Sequence, residues 1–450
     1  MKLPLKSSCR SALKPTATDL ALPIIRYPQR TAWPALMQRP IADTQELLVT
    51  VESIVDQVRS SGDSALFSFT RKFDGAELKN LAITQNEIIH AKAQIPEQLK
   101  KAIELAKKNI EKFHSSQLSD SAVIETSSGV LCWQRALPIS RVGLYVPAGA
   151  APLFSTVLML GVPAKLAGCE IVLCCPPDKF GTIAAPILYC ADLLGIRQIY
   201  KVGGAQAIAA MAFGTASVPR VDKIFGPGNS YVNTAKQYVL ARYGVAIDLP
   251  AGPTELLVIA DQSSNAEFIA ADLLSQAEHG ADSQVILLSS NEELLQQVRT
   301  EVLTQLVDLP RKEIASLALQ GARFVLIADY AEAIAFSNAY APEHLILSVA
   351  NAENLACQVT SAGSVFLGYF SPESAGDYAT GPNHTLPTNG AARAYSGLSL
   401  NSFLKKITFQ KLSEDGLRQI GSAVETMALA EGLYAHKNAV SVRLKSLEML

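Results

Sequence analysis

From about residue 140 onward, short β-branched apolar runs alternate with amphipathic stretches of roughly 10–16 residues. The apolar runs predict strands at Glu170–Cys175, Gln198–Val202, Asp222–Phe225, Glu255–Ala260, Gln284–Leu288, Arg323–Ala328, Leu345–Val349 and Ser364–Leu367. The intervening stretches, such as Ser230–Arg242 and Asn291–Leu306, predict helices. Upstream, Leu47, Leu48, Val51, Ile54 and Val58 recur close to the helical period across Thr44–Ser60, and Glu97–Phe113 is entered through Pro96. Strand–helix alternation implies an α/β fold with a mostly parallel sheet. So many strands exceed one comfortable sheet, so we expect two Rossmann-like parallel-sheet domains with small, mainly helical N- and C-terminal extensions. In the C-terminal extension Ser413–Glu431 reads as one helix stopped by Gly432, and His436–Leu447 as another. No internal repeat is evident. Leu144–Ala164 is uncharged and apolar enough to resemble a membrane span, but Pro147, Pro152, Pro163, Gly149 and Gly161 predict a loop plus a buried helix.

Composition narrows the function. The 450 residues are 49% hydrophobic, and 39 Lys+Arg against 41 Asp+Glu leave a net charge of −2. That balance argues against nucleic-acid binding, which needs a basic surface, and the apolar content argues against disorder. The longest apolar piece near the start, Leu20–Ile25, contains Pro23 and does not make a signal peptide. Residues 1–18 carry Lys2, Lys6, Arg10 and Lys14 without an acid, which reads as a plain basic N-terminus, with a transit peptide as the alternative. The seven cysteines include no C-x-x-C pair, so structural zinc of the ribbon type is not expected. They read as buried reduced thiols of a cytoplasmic protein, with adjacent Cys174 and Cys175 on opposite faces of a strand.

Five kinds of segment look chemical. Gly143–Gly149, Gly203-Gly204-Ala-Gln206 and Phe225-Gly-Pro-Gly-Asn229 adjoin expected strand ends, where glycine lets backbone approach a nucleotide; a tight turn without ligand is the alternative for each. Ser264 and Glu267 have capping-box spacing, starting a helix that Gly280 stops, with Gln276 and His279 on one face of its last turn. Such a pair offers a metal one oxygen and one nitrogen, or is an ordinary polar helix end. In Ala341-Pro-Glu-His-Leu345 an acid beside a histidine can serve as a general acid/base pair, unless the segment is a surface loop before a strand. Ser374–Pro387 is a long Gly- and Pro-rich loop holding Asp377 and His384. Glu431–Ala439, with His436, joins the last two helices.

Taken together and in order, these motifs resemble the histidinol dehydrogenase family. The resemblance rests on Gly143-Leu-Tyr-Val-Pro147, Gly203-Gly-Ala-Gln206, Phe225-Gly-Pro-Gly-Asn229, Ala251-Gly-Pro-Thr-Glu255, Leu274-Ser-Gln-Ala-Glu-His279-Gly, Ala341-Pro-Glu-His-Leu345, Gly376-Asp-Tyr, Gly381-Pro-Asn-His384 and Glu431-Gly-Leu-Tyr-Ala-His436. It implies oxidation of L-histidinol to L-histidine through L-histidinaldehyde with two NAD. By the same resemblance Gln276, His279, Asp377 and His436 would bind Zn2+, and Glu343 and His344 would be the acid/base pair. Thr254, Gln276, His279, His344, Asp377, His384, Glu431 and His436 would meet the substrate, and Tyr145, Gln206 and Asn229 would line the NAD site. Thr254 stands where the family usually has serine. The resemblance further implies a homodimer with shared active sites, His436 and Glu431 reaching the partner's site. The expected organisation is an N-terminal extension (1–40), a discontinuous metal and substrate domain (41–143 plus 255–398), an NAD-side domain (144–254) and a C-terminal helical tail (399–450). A zinc hydrolase using Glu343 on metal-bound water, and a catalytically silent binding relative, are the competing readings.

Overall fold

The computed structural model describes residues 20–40, 44–118, 122–148, 152–249 and 252–448. The basic residues of 1–18, Cys9, Gly149 and Ala251 lie outside them. In chain order the strands are β1 (Ile24–Arg26), β2 (Ile124–Ser127), β3 (Val130–Pro138), β4 (Arg141–Tyr145), β5 (Glu170–Cys175), β6 (Gln198–Lys201), β7 (Lys223–Phe225), β8 (Ala246–Ile247), β9 (Glu255–Ala260), β10 (Gln284–Ser289), β11 (Arg323–Leu326), β12 (His344–Ser348), β13 (Ser364–Leu367) and β14 (Leu404–Leu412). All eight expected strands form, each within two residues of its expected ends.

Two parallel sheets result, one ordered β6-β5-β4-β7-β8 and the other β1-β11-β10-β9-β12-β13. Leaving β1 aside, both follow the order third-second-first-fourth-fifth, which matches five of the six strands of a doubly wound sheet. The architecture thus repeats although the sequence does not. β9 and β10 are buried at every position, as expected of strands covered on both faces. Cys174 and Cys175 do face opposite sides, each joining the core on its own side of the sheet. Cys357, by contrast, is exposed, so the expectation of uniformly buried thiols does not hold there. The apolar stretch after β4 becomes the helix Phe154–Ala167, buried from Ser155 to Ala164. No helix among the described residues is long and apolar enough to cross a membrane.

Three expectations need correction. Residues 44–115 do not pack with the six-stranded sheet. Helix Thr44–Ser61 lies on helices Gly204–Phe213 and Ser230–Tyr243, Gln85–Gln94 on Ala185–Leu193, and Glu97–Ser115 on Phe154–Ala167. They belong with the five-stranded sheet because their apolar stripes, such as Val51, Ile54, Val55 and Val58, complete its outer layers. Arg141–Tyr145 is likewise the central strand of that sheet rather than part of the other domain. Second, the segment before residue 40 is no mere extension, since β1 pairs in parallel with β11 at the sheet edge. Third, the C-terminal tail is not purely helical. β14 pairs antiparallel along all nine residues of β3, and β2 completes a three-stranded ribbon. Most of β14 is exposed, so no buried face marks it in the sequence. Helices Glu414–Ala430 and Tyr434–Glu448 follow as a hairpin packed on itself, the first also touching β2 and β14.

Candidate active site

Open α/β sheets usually hold ligands at the carboxyl ends of their strands. In the five-stranded sheet the residues expected at the nucleotide lie at that end. Tyr145 ends β4, and its hydroxyl accepts a hydrogen bond from the Gly204 amide (3.2 Å). Burial holds that hydroxyl well above its ordinary pKa. Gln206 is buried in the first turn of Gly204–Phe213. Asn229 caps Ser230–Tyr243, accepting from the Val232 amide at 3.1 Å. The crevice between β4 and β7, where the strand order reverses, is therefore rimmed by the expected nucleotide residues. Gly226 in that rim has φ +130°, and a Cβ there would lie 2.1 Å from the Tyr145 carbonyl oxygen, so only glycine fits. Beneath it the buried Lys236 ammonium donates to the Gly226 carbonyl (2.9 Å) and pairs with Asp248, which accepts from the Gly226 amide (2.7 Å).

In the six-stranded sheet the candidate residues lie at the opposite end. At its carboxyl edge Asp261, just after β9, accepts from the Ala350 amide (2.8 Å), just after β12, and from the Ser263 amide (2.9 Å). The chemistry gathers at the amino ends instead. Thr254 precedes β9 and Glu255 begins it, and Glu343 precedes β12 and His344 begins it. Helix Ala266–Ala277 runs back from the carboxyl edge, so Gln276 in its last turn and His279 just beyond reach the same edge. Its N-cap is Asn265, not Ser264, because the Ser264 hydroxyl donates to the Ser348 carbonyl (2.5 Å) and accepts from the Asp261 amide. The helix also ends three residues before Gly280, with Glu278 as its C-cap.

Glu343 and His344 are buried, so the exposed-loop reading of that segment is wrong. Glu343 Oε2 accepts from the Thr254 hydroxyl (2.5 Å) and the Glu255 amide (2.9 Å). Burial nevertheless holds its carboxyl well above the usual carboxylate range; those two hydrogen bonds pull the other way. His344 Nδ1 lies 3.2 Å from the Glu255 carbonyl, which makes Nδ1 the donor and leaves the Nε2 lone pair free. Nε2 is buried and has no hydrogen-bond partner. Burial pushes the imidazole down to about 3, so it is neutral across the physiological range.

Around this ring stand three carboxylates: Glu373 at 3.6 Å and Glu343 at 3.7 Å from Nδ1, and Asp377 at 3.9 Å from Nε2. Burial raises Asp377 to about 6 and holds Glu373 well above the usual carboxylate range. His384 Nδ1 lies 3.0 Å from the Asp377 carbonyl, and its Nε2 lies 3.4 Å from Thr156 on helix Phe154–Ala167. Neighbouring Asn383 donates to the Met159 carbonyl on that helix (2.5 Å), so the loop joins the amino edge of the six-stranded sheet to a helix packed on the five-stranded one.

His279, Glu373 and Asp377 each offer a ligand atom within 4.8 Å of the others. Glu373 was missed in the sequence. The segment after Pro372 read as a loop, whereas Glu373–Tyr378 is a short helix that sets Glu373 and Asp377 four apart on one face. The Gln276 amide lies between Thr254 and Glu373. Turned one way, its nitrogen donates to the Thr254 hydroxyl (2.5 Å) and its oxygen faces the Glu373 carboxylate. Turned the other way, the nitrogen donates to Glu373 Oε2 (2.8 Å). The second orientation removes the clash of acceptor against acceptor that the first creates, and lets the amide oxygen accept from the Glu255 amide (3.0 Å). Gln276, His279 and Asp377 are thus brought together; His436 and Glu431 stand exposed on the C-terminal hairpin.

The sequence and fold are also similar to known proteins. Residues 37–444 match the family model described as histidinol dehydrogenase. A histidinol dehydrogenase of Bacteroides fragilis is 55% identical over 425 residues, 94% of this chain and 99% of that protein. One from Salmonella typhimurium is 52% identical over 417 residues, covering 92% and 95% of the two chains. The crystal structure of histidinol dehydrogenase from Elizabethkingia anophelis superposes with a TM-score of 0.93 at 56% identity, over 95% of this chain and 99% of that one.

Proposed function

Because the chain belongs to the histidinol dehydrogenase family and is an oxidoreductase of that kind, we propose that it oxidises L-histidinol to L-histidine through L-histidinaldehyde, with two NAD and a zinc ion, in the last steps of histidine biosynthesis. The observation that carries this reading is the buried, unpartnered Nε2 of neutral His344, ringed by carboxylates at the edge that the 381–384 loop ties to the nucleotide side.

Oxidising an alcohol removes its hydroxyl proton as hydride leaves the carbon. His344 Nε2 is the acceptor for that proton, its tautomer held by the Glu255 carbonyl. In their ionised forms Glu343, Glu373 and Asp377, all within 4 Å of the ring nitrogens, would stabilise the imidazolium that forms. In the second oxidation water adds to the aldehyde, and Glu343 orients that water and takes its proton. Bound at the five-stranded sheet, NAD supplies the hydride acceptor. The donor set fits zinc, with nitrogen and oxygen ligands and no cysteine. Gln276, His279 and Asp377 would hold the ion, which would hold the imidazole and amino groups of the substrate. His436 of a second copy would complete the set.

A homodimer with shared sites is supported by the C-terminal hairpin. Met427, Leu429, Leu433, Tyr434 and Val442 are exposed there, an apolar surface that a second subunit would cover. The deciding experiment follows NADH absorbance with L-histidinol, before and after chelation and after zinc is restored. Turnover that is lost on chelation and regained with zinc supports the reading. No NADH formation with zinc supplied overturns it, and the zinc-hydrolase alternative instead requires turnover without nicotinamide.

A further inference from the structure

Arg39 lies in the N-terminal segment, at the very start of the family match and far in sequence from the site motifs, yet it reaches the floor of the site. Its Nε donates to Glu255 Oε1 at 2.5 Å and its Nη2 to Glu255 Oε2 at 2.8 Å, a bidentate pair. Nη2 also donates to the Tyr340 carbonyl (2.9 Å), and the guanidinium stacks on the Tyr340 ring at 4.0 Å. The Tyr340 hydroxyl in turn donates to Gln284 (2.6 Å), whose amide donates to the Gln38 carbonyl (2.9 Å). The Arg39 and Glu255 side chains are 13% and 2% exposed, so the pair is well shielded from water.

What Arg39 grips is the residue whose peptide groups hold both acid/base side chains. The Glu255 amide donates to Glu343 Oε2, and the Glu255 carbonyl accepts from His344 Nδ1. The Glu255 carboxylate also accepts from the Asn389 amide (2.7 Å), tying the loop beyond His384 to the same point. A buried carboxylate left unpaired here would be costly and would shift to find water or a new donor, carrying its peptide with it.

We propose that Arg39 is a positioning residue for the oxidation chemistry, fixing Glu255 so that its peptide sets the Glu343 carboxylate and the His344 tautomer. Lysine does not substitute, because an ammonium cannot make the planar two-point contact. This proposal rests on the reading of Glu343 and His344 as the acid/base pair.

The test uses the full-length enzyme with zinc and compares Arg39→Met, Arg39→Lys, Glu255→Gln and the Arg39→Met/Glu255→Gln double variant. Each is assayed for kcat with L-histidinol, KM for NAD, NADH binding and thermal unfolding. Misplaced catalytic groups should lower kcat about 10- to 100-fold in Arg39→Met. KM for NAD should stay within about twofold, since Arg39 does not touch the nucleotide side. Arg39→Lys should be intermediate, and it carries the test if the methionine variant does not fold. In the Glu255→Gln background, Arg39→Met should add less than about twofold, because the residue acts through Glu255. Folded Arg39→Met or Arg39→Lys enzyme with unchanged kcat overturns the proposal, as does an undiminished effect in the Glu255→Gln background. Glu343→Gln and His344→Gln are run in parallel. If they are slow while the Arg39 variants are not, only the role of Arg39 falls; if they too keep full kcat, the acid/base reading falls with it.

Discussion

Thr254→Val isolates one hydroxyl at the centre of the site. Valine keeps the β-branched shape, so the packing beside Glu343 and Gln276 is retained while the hydrogen-bonding group disappears. Two contacts are lost: the donation from Thr254 to Glu343 Oε2 and the hydroxyl's contact with the Gln276 amide (2.5 Å). Glu343 then keeps only the Glu255 amide on that oxygen. A hydrogen bond to a charged group contributes about 1.5–3 kcal/mol. If the ionised carboxylate is the working form, its loss corresponds to about a 10- to 150-fold fall in kcat at neutral pH. The direction with pH follows from the same contact. Burial raises the Glu343 pKa, and the Thr254 hydroxyl lowers it by favouring the carboxylate. Without that hydroxyl the pKa rises further, so the ionised base forms only at higher pH. The acid limb of the kcat profile should therefore move to higher pH, and part of the lost rate should return as pH is raised. Thr254→Ser keeps the hydroxyl and should stay within about threefold of the unsubstituted enzyme. The assay is NADH formation from L-histidinol and, separately, from L-histidinaldehyde, on protein whose thermal unfolding is unchanged. A folded Thr254→Val enzyme with full kcat and an unmoved acid limb would refute the argument. So would a Thr254→Ser enzyme as slow as the valine variant.

Three further outcomes are expected. Gly226→Ala drives a Cβ into the Tyr145 carbonyl and should cost about 3 kcal/mol or more, seen as a lower melting temperature and lost NADH binding; a variant that binds NADH normally would mean the loop is not held as described. In the metal-free protein His344 and His384, pushed down by burial to about 3 and about 4, should remain neutral at about pH 5, where an unperturbed imidazole is mostly protonated. Nitrogen NMR of the two rings reads this directly, and protonated signals at that pH would contradict it. Mixing His436→Ala with His279→Ala chains should restore activity, since one of the two sites in a mixed dimer is intact; verified heterodimers without recovery would remove the shared-site reading.

The amino-edge placement of the site has a physical consequence. Strands β9 and β12 are buried along their length, so the first residues of each are rigid mounts. Parallel register sets His344 opposite Leu256, one residue past Glu255, which brings the ring to the Glu255 carbonyl. The adjacent residue, Glu343, meets the Glu255 amide from the same strand end. Neighbouring residues on one strand thus take opposite ends of the peptide chemistry of one residue on the next.

What the sequence determined by itself was local or carried in short motifs. Strand and helix spans were legible because apolar spacing reports the face each element buries, and caps such as Asn229 and Asn291 act within a few residues. The Glu343-His344 pair and the glycine turns were legible because adjacent residues share a strand end or a loop. Tertiary structure alone decided the rest. Residues 44–115 joined the five-stranded sheet because an amphipathic stripe shows that a face is buried but not against what. β14 was invisible because its pairing with β3 is made by backbone groups, which every sequence possesses. Glu373 became part of the site only when a short helix turned it towards Gln276 and His344, and Arg39 only when the chain returned more than two hundred residues later with Glu255. A carboxylate or a guanidinium announces its chemistry in sequence; what it holds depends on partners that only the folded chain brings within reach.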